Sequence, residues 1–533
     1  MISRRKFLNK TAGGLALSLA IPSITACSGK QTFNGVITGP NAELGHRLRS
    51  MDFPPPTKTV STSVAIIGGG ISGLSAARFL KKHTDEFLLL ELESGPGGNS
   101  IGGANVLSAF PWGAHYLPLP GNNDPELISF LQECNAITAF KNGSPVFNEY
   151  YLCHDPKERL YINNFWQDSV IPHEGVPTKD RDEINRFLSL MHEYKQMTGS
   201  DRKPAFAIPV EMSSQDKAIL DLDNINAEQF LQQHKFGSSF LRWYVNYCCA
   251  DDYGSSLQQT SAWAMIHYFA ARQSKAANAP SDAVLTWPEG NYWLVKQLKK
   301  DLDSQIRPNT LAYSINIRQN NVEILAFDAA ENTSQIIRAD KVILATPQFI
   351  NKYLLKGTSR DLDYRNFQYA PWMVANMIVN SSFNERRGEQ LCWDNVIYGS
   401  DSLGYVNAMH QQVSLQSSEK VITYYKPLTN GDAVASRMNA YGKSYSDWSS
   451  EIVADLSQAH SDIDAHIREM NVWIWGHGMI RPSPGFIWGK DRRNAANAID
   501  DRIFFAHSDT GGISIFEEAF FNGHKSARQL LGL

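Results

Sequence analysis

The chain contains few cysteines, and their arrangement argues against cross-links and metal ligation. Its 533 residues include six cysteines, and no two of them are spaced as Cys-x-x-Cys. Cys27 belongs to an N-terminal leader, which leaves an odd number in the body of the chain. A disulfide framework and a cysteine-ligated zinc site are therefore disfavoured, and no metal is expected. The adjacent Cys248 and Cys249 fit a packed core better than a redox centre.

The sequence also lacks an excess of positive charge. The formal net charge is −4, and the first 26 residues contribute Arg4, Arg5, Lys6 and Lys10 without any acid, so the remainder is more acidic still. Nucleic acid is therefore not an expected partner. No apolar run after the leader is long enough to cross a membrane, while the length and the 43% hydrophobic content predict a folded protein of about two domains.

The first 27 residues have the features of an export signal. A charged start, Ser3 to Leu8 with its paired arginines, precedes a short apolar stretch from Ala12 to Ala26. This stretch is shorter than the roughly 20 residues of a membrane span, which disfavours the alternative of a plain anchor helix. The leader resembles a twin-arginine signal, and Ile24 to Cys27 resembles a lipobox. The resemblance implies a periplasmic lipoprotein anchored in the membrane through a lipid on Cys27.

Residues 28–60 are predicted to form a tether. They are rich in Gly, Ser, Asn and Pro, and the run from Pro54 to Pro56 is typical of a stiff spacer. After this stretch the pattern becomes regular. Further along, helices are predicted at 182–197 and 227–248, and strands at 311–318, 322–327 and 341–344.

A nucleotide-binding half begins at Val64. The run Val64 to Ile67 is wholly apolar, as expected for a strand buried on both faces. Apolar residues then recur at helical spacing from Ile71 to Leu80, and Phe87 to Leu90 predicts a second buried strand. This strand–helix–strand order is the minimal unit that binds a mononucleotide.

Between this strand and helix lies a Gly-x-Gly-x-x-Gly sequence. Gly68 permits the tight turn, Gly70 allows a pyrophosphate to approach the backbone, and Gly73 allows close packing of helix on strand. Glu91 ends the second strand, where a carboxylate can accept hydrogen bonds from the ribose hydroxyls of an adenosine. The predicted phosphate-binding residues are Gly68, Gly70, Ile71, Ser72 and Gly73.

Two motifs after Glu91 carry a resemblance to a known family. Gly97-Gly98-Asn99 follows at a short distance, and Trp112-Gly113-Ala114-His115-Tyr116 forms a glycine-containing turn. With the acidic strand end, they make residues 64–116 resemble the amine oxidase, phytoene desaturase and protoporphyrinogen oxidase superfamily of flavoproteins. The resemblance implies FAD rather than NAD, with Gly97, Gly98, Asn99, Gly113 and Ala114 near the cofactor.

Two later segments extend the resemblance. The family's return strands match 309–317 and 339–347, which implies that the backbone near Leu311 meets the adenine. Near the end, Asp509 occupies the position of an acid that contacts the ribityl or pyrophosphate portion. A helix N-cap is the alternative for this residue, and the usual glycine before the acid is replaced by His507-Ser508. Ile515 precedes the final helix, which is predicted to face the flavin.

The expected fold class is α/β, with a Rossmann-type FAD-binding domain and an interleaved mixed α+β substrate domain. We predict that the FAD-binding domain comprises residues 61–120, 286–355 and 491–533. The substrate domain is then formed by residues 121–285 and 356–490.

Three residues are predicted at the reaction centre. His115 lies in the glycine-containing turn, where it is a candidate acid or base. His477 and Trp475 lie in an aromatic, glycine-rich run typical of a pocket wall. Amine oxidases of this family commonly carry a lysine on the strand matching 372–379 and an aromatic pair around the flavin. This chain has no lysine there, and Gly478 and Ile515 align with the aromatic positions.

The reaction itself stays open between alternatives. One is hydride transfer to flavin N5 from an amine or another small organic substrate, with dioxygen or a quinone as the electron acceptor. The second is a desaturase or porphyrinogen-type oxidation within the same superfamily. The third is a flavin-bearing binding or electron-relay lipoprotein without its own substrate turnover.

Overall fold

The computed structural model describes residues 33–412 and 417–533. The described chain is built around two large sheets, and the strands of each sheet come from separated parts of the chain. The predicted signal peptide and Cys27 lie outside the described residues. In chain order the strands are β1 (Ile37–Thr38), β2 (Pro56–Ile67), β3 (Phe87–Leu90), β4 (Gly102–Ala104), β5 (Ala109–Pro111), β6 (Tyr116–Pro118), β7 (Ile137–Lys141), β8 (Ser144–Phe147), β9 (Glu158–Ile162), β10 (Phe165–Asp168), β11 (Val284–Thr286), β12 (Ile306–Arg307), β13 (Thr310–Ile317), β14 (Val322–Asp328), β15 (Thr333–Leu344), β16 (Tyr369–Asn380), β17 (Asp394–Ile397), β18 (Tyr405–Asn407), β19 (Glu419–Pro427), β20 (Ile467–Ile480) and β21 (Ile503–Phe505).

The helices lie between these strands and after the last one. They are α1 (Ala42–Ser50), α2 (Ile71–Lys81), α3 (Pro125–Glu133), α4 (Thr178–Gln196), α5 (Lys217–Leu220), α6 (Ala227–Gln233), α7 (Ser239–Tyr253), α8 (Ala262–Ala270), α9 (Tyr292–Lys299), α10 (Gln348–Leu354), α11 (Ala433–Gly442), α12 (Tyr445–Leu456), α13 (Ile463–His466), α14 (Lys490–Ala495) and α15 (Phe516–Leu531). None of the helices in the described part of the chain is long and apolar enough to cross a membrane.

The first sheet is of the Rossmann type. Its order is β12-β3-β2-β15-β14-β13, and β21 also pairs with β15. Strand β2 runs parallel to both β3 and β15, and β21 runs parallel to the end of β15. For example, Ile67 of β2 lies opposite Leu344 of β15. Because side chains alternate along a strand, Val64 and Ile66 pack under α2, α9 and α15, whereas Ala65 and Ile67 pack under α1 and α10.

The regular elements predicted from the sequence are confirmed. The apolar strands, the helix after the glycines and the final helix all form where the periodicity places them. Residues 227–248, predicted as one helix, are split by a turn into α6 and α7. Strand β2 is also longer than predicted, since its exposed first half pairs with β15 from Pro56 onward.

The prediction of a tether is wrong over residues 33–60. Ile37 and Thr38 pair with Val472 and Trp473 of β20. Helix α1 follows, capped by the Asn41 side chain and anchored by the buried Leu44 and Leu48. The leucines are spaced i, i+4 and form one apolar face of the helix. This spacing, and not the composition of the stretch, decides its structure. This segment therefore forms part of the folded body.

The second sheet has the order β1-β20-β16-β19-β18-β17-β9-β10. Its long antiparallel centre, β16 between β19 and β20, is buried on both faces. Helices α11 and α12 cover one face, and the helical segment from α4 to α8 packs beside the other. Strand β1 and the start of β2 lie in the predicted tether, and residues 33–533 form one compact unit. The exact domain boundaries stay a prediction.

Candidate functional site

The turn from β2 to α2 is tightly packed on one side and open on the other. Gly68 has a φ of +101°, a conformation that glycine adopts without strain. A Cβ on Gly73 would lie 1.9 Å from Gly68 O, so only glycine allows the helix this close to the strand. A Cβ on Gly70, by contrast, meets no protein atom nearer than Gly98 Cα at 4.0 Å. The open side of Gly70 faces a cavity.

Two helices point their N-termini at this cavity. Helix α2 begins after Gly70 and α15 begins after Ile515, and neither has a side chain that caps its first N–H groups. Ile71, Ser72 and Phe516 line the cavity at these ends. Free N–H groups and the positive end of a helix dipole bind anions, phosphates in particular.

Glu91 lies at the end of β3 beside the glycine turn. One carboxylate oxygen accepts a hydrogen bond from Gly69 N at 2.7 Å, and the other accepts from Glu93 N at 2.8 Å. Burial raises the pKa of this carboxyl to about 7, against the lowering effect of the two N–H donors. The side chain therefore braces the turn, and Glu91 also lines the cavity.

The second glycine pair lies directly on the first turn. Gly97 N donates to Gly69 O at 2.8 Å, and a Cβ on Gly98 would come within 3.2 Å of Gly70 Cα. Asn99 continues the chain toward the second sheet, where its side-chain amide donates to Gly478 O. Asn99 O in turn accepts from Ala114 N at 3.0 Å.

Asp509 presents an unpartnered oxygen to the cavity. Its Oδ2 accepts hydrogen bonds from Gln348 N at 2.8 Å and from the Tyr369 hydroxyl. Its Oδ1 is buried and receives no hydrogen bond. His507 Nδ1 lies 3.0 Å from Oδ1, but it accepts from Asp509 N. A buried carboxylate oxygen without a donor can accept a hydrogen bond from a bound ligand.

We call this space the long cavity; it has a volume of about 1350 Å³. Of the predicted cofactor-binding residues, the long cavity is lined by Gly68, Gly70, Ile71, Ser72, Glu91, Gly97, Gly98, Asn99, Ala114, Leu311, Asp509 and Ile515. Gly73 lies beneath the turn, and Gly113 lies on the wall of a second cavity.

The second space, which we call the inner cavity, has a volume of about 860 Å³ and adjoins the long cavity. The two share the wall residues Asn99, Ala114, Gly478, Ser514, Ile515 and Phe516. Trp372, Tyr425 and Trp475 give the inner cavity aromatic walls. Its largely apolar, aromatic lining is that of a small-molecule site.

The three predicted reaction-centre residues separate in the structure. His115 and Trp475 line the inner cavity, whereas His477 lines the long cavity, with its ring stacked on Phe349 at 4.1 Å. His115 stacks on Tyr425 at 4.6 Å. Burial lowers the pKa of both histidines to about 3, so each is neutral at physiological pH and a weak base. Trp475 Nε1 donates to Trp112 O at 2.6 Å, leaving its ring as wall.

Sequence reasoning missed the charged end of the inner cavity. Arg272 donates to both carboxylate oxygens of Asp252, at 3.0 and 3.1 Å, and Tyr116 donates to Asp251 at 3.2 Å. Burial, followed by the charge of Asp252, raises the pKa of Asp251 to about 7, and burial also raises that of Glu517. Helices α7 and α8 and the chain after them bring these groups together, and no local motif marks them.

Two further observations describe the inner cavity's chemistry. Asn291 is 1% exposed and lines the cavity, and its Oδ1 has no hydrogen-bond partner. No lysine is among the lining residues of the described chain, so Arg272 is the cation there. Within residues 33–412 and 417–533, no group of three or more His, Cys, Asp or Glu side chains is placed to hold a metal.

Comparison with known proteins supports the fold. A family profile described as an NAD(P)-binding Rossmann-like domain matches residues 66–134. No curated protein matches the chain in sequence. Putrescine oxidase bound to putrescine superposes with a TM-score of 0.63 at 14% identity, covering 89% of this chain and 100% of that one.

Two other solved structures are similar over nearly the same length. Cyclohexylamine oxidase from Brevibacterium oxydans has a TM-score of 0.62 at 12% identity, with coverage of 88% of this chain and 99% of that one. A CLA-producing fatty acid isomerase from P. acnes has a TM-score of 0.59 at 13% identity, with coverage of 87% and 97%. The chain therefore has the fold of these amine oxidases, as the motif resemblance predicted.

The buried Glu91 makes stability depend on pH. Its pKa is raised from 4.5 to about 7, so the stability it contributes is complete below pH 4.5 and is lost as the pH rises to about 7. We expect Glu91→Gln to gain up to about 3 kcal/mol of unfolding free energy relative to wild type over this range. Urea unfolding without added cofactor measures this difference in unfolding free energy. Glu331→Gln, on an exposed turn, is the control. Parallel pH profiles for wild type and Glu91→Gln would contradict the assignment.

Proposed function

We propose that the chain is an FAD-dependent oxidoreductase that oxidises a small organic substrate with an apolar body and a cationic group. The observation that carries this proposal is the junction of two cavities at Asn99, Ala114, Gly478 and Ile515. One cavity has the features of a dinucleotide site, and the other has aromatic walls with an acidic end.

The residues of the long cavity fit FAD. The bare backbone at Gly70 and the uncapped N-terminus of α2 suit the pyrophosphate. Glu91 suits the ribose hydroxyls, and the unpartnered Asp509 Oδ1 suits a hydroxyl donor of the cofactor chain. The N-terminus of α15 adds positive potential at the junction, where the flavin ring would lie.

When bound, FAD supplies a hydride acceptor at N5. The side chains of the inner cavity orient the substrate against the junction and exclude water. Trp372, Tyr425 and Trp475 surround an apolar body, and Asp251 and Glu517 hold a cationic group at the charged end. Because His115 is neutral and a weak base, the substrate enters with its reacting amine deprotonated rather than losing a proton to this histidine.

The acidic end favours an amine over the alternatives. Three carboxylates face one arginine there, so ionised forms leave a net negative charge. Such a charge attracts a cation and repels the carboxylates of a porphyrinogen. A separate apolar cavity beside the long cavity favours turnover over electron relay, which needs no such space. The missing lysine keeps desaturation of an apolar substrate as the second candidate, supported by the aromatic walls.

Flavin binding is tested at the glycine turn. We expect Gly70→Val to fold normally yet purify without yellow colour, because its side chain extends into the open cavity. Visible absorbance and thermal unfolding separate the two effects. Gly73→Val serves as the contrast and should destabilise the fold, since its Cβ collides with Gly68 O. A Gly70→Val protein that retains stoichiometric FAD would refute the pyrophosphate assignment.

Substrate class is tested at Asp251. Anaerobic reduction of the flavin by amines, diamines and apolar polyenes identifies the class that bleaches it. For a substrate with a distal cation, we expect Asp251→Asn to lower kcat/KM about 10- to 100-fold through loss of a charge-assisted hydrogen bond. A neutral analogue of equal length should be unaffected, and Glu331→Gln should leave both rates unchanged.

Since the pKa of Asp251 is about 7, the preference for the cationic substrate should grow as the pH rises through 7. Equal losses for both substrates would refute the contact.

We also propose export by the twin-arginine route and a lipid on Cys27. The support is the order of Arg4-Arg5, the short apolar stretch and Ile24 to Cys27. Folded-state export suits a protein that acquires FAD in the cytoplasm. We expect Cys27→Ala to leave the membrane fraction, and mass spectrometry of the wild-type N-terminus to show acyl chains. Cys134→Ala is the control and should stay in the membrane fraction. A Cys27→Ala protein that also stays in the membrane fraction would refute the anchor.

A further inference from the structure

A third space, which we call the lateral cleft, opens beside the long cavity. It lies between α1, α10 and α11 along the edge of β20 and has a volume of about 1800 Å³. Its inner end is formed by Asn99, Trp475 and His477, which also line the long or inner cavity. The cleft therefore reaches from the molecular surface to the wall of the proposed flavin site.

The rim of the cleft carries cations without matching acids. Arg49 and Lys352 are exposed and take part in no salt bridge within the described chain. Arg437 donates a hydrogen bond to Gly476 O at 3.2 Å. Burial lowers the pKa of His46, and the nearby charges of Arg49 and Arg437 lower it further. Glu93, the acid in the cleft wall, accepts a hydrogen bond from Asn41 N. The cluster thus keeps a net positive charge that an anionic partner would neutralise.

The same rim exposes apolar side chains. On α11, Val434, Met438 and Tyr441 are spaced four and three residues apart, which places them on one helix face. Their exposed fractions are 52%, 71% and 50%. Val36 and Ile37, exposed to 56% and 38%, lie on the segment that runs along β20 toward the cleft. Clustered exposed apolar groups mark a surface for a partner.

The N-terminal chain joins the body at this surface. Asn34 pairs with Glu469, β1 pairs with β20, and Pro40 begins the cleft wall. Tyr441 approaches the same strand at Gly476. Five residues lie between Cys27 and Phe33, and an extended chain spans at most about 3.3–3.6 Å per residue. A lipid on Cys27 would therefore hold Phe33, three residues before Val36, within about 20 Å of the bilayer.

We propose that this surface, the cleft rim formed by Val36, Ile37, His46, Arg49, Lys352, Val434, Arg437, Met438 and Tyr441, docks on an anionic lipid bilayer. The proposal rests on lipid attachment at Cys27. The apolar side chains of this surface insert at the membrane–water interface, and the cations of the surface bind lipid phosphates. A lipid anchor and a basic patch together hold a protein on a membrane more firmly than the anchor alone. Docking turns the mouth of the cleft toward the membrane.

Fluorescence quenching tests the orientation. The full-length lipidated protein, with the partly exposed Cys134 replaced by serine, is labelled at Met438→Cys or at Phe140→Cys. Phe140 is exposed on the β7–β8 hairpin, which packs on α3 on the opposite side of the first sheet. On vesicles of phosphatidylcholine and phosphatidylglycerol containing a nitroxide-labelled lipid, we expect strong quenching at 438 and none at 140. Equal quenching at both positions overturns the proposal.

Charge reversal provides a second readout that does not alter the apolar residues. We expect Arg49→Glu with Lys352→Glu to reduce quenching at 438 at least threefold, as should vesicles of phosphatidylcholine alone. Lys141→Glu with Lys179→Glu, at exposed positions, is the matched control and should change nothing. Quenching at 438 that is insensitive to both changes overturns the proposal. Mass spectrometry of the N-terminus and flavin absorbance of the same samples report separately on the anchor and on the proposed enzyme.

Discussion

The contact between α2 and β2 is the constraint on which the rest of the site depends. Because Gly73 has no Cβ, the helix approaches Gly68 O closely enough to direct its N-terminus at the space above Gly70. The apolar strands β2 and β15, paired from Val64 to Ile67, provide the rigid base for this turn. Glu91 and Gly97 then hydrogen-bond to Gly69. The open space above Gly70 is therefore set by backbone geometry rather than by adaptable side chains.

A small number of polar contacts fix the second sheet against this base. The Tyr425 hydroxyl donates to Gly113 O at 2.9 Å, and Asn376 Nδ2 donates to Pro111 O at 2.9 Å. Both contacts join the central strands β16 and β19 to the turn that follows Asn99. Since buried amide and hydroxyl groups need partners, these bonds specify one docking of the two sheets. The inner cavity is the space that this docking leaves.

The strands, the glycine turn and the final helix could be predicted because each depends on residues close in sequence. The local motifs and the family resemblance also gave twelve cofactor-binding residues that line the long cavity, but not its other wall residues, such as Gly45 and Tyr369. Asp251, Asp252 and Arg272 could not be predicted, since α7 and the chain after α8 bring them to the inner cavity only through tertiary packing. The mistaken tether has another cause: composition favoured a loop, while two leucines in α1 contribute enough burial to hold the segment in place.

Position along the chain links the proposed chemistry to the proposed membrane surface. The segment that enters the fold at β1 lies on the edge of β20. On the same strand, Trp475 lies between the cleft and the inner cavity, and His477 lies between the cleft and the long cavity. The acidic inner cavity and the basic cleft thus lie on different sides of the junction. A cationic substrate is attracted to the first and repelled by the second. This separation of charge links the proposed preference for a cationic substrate to the proposed docking on an anionic bilayer: each is served by a cavity of opposite charge.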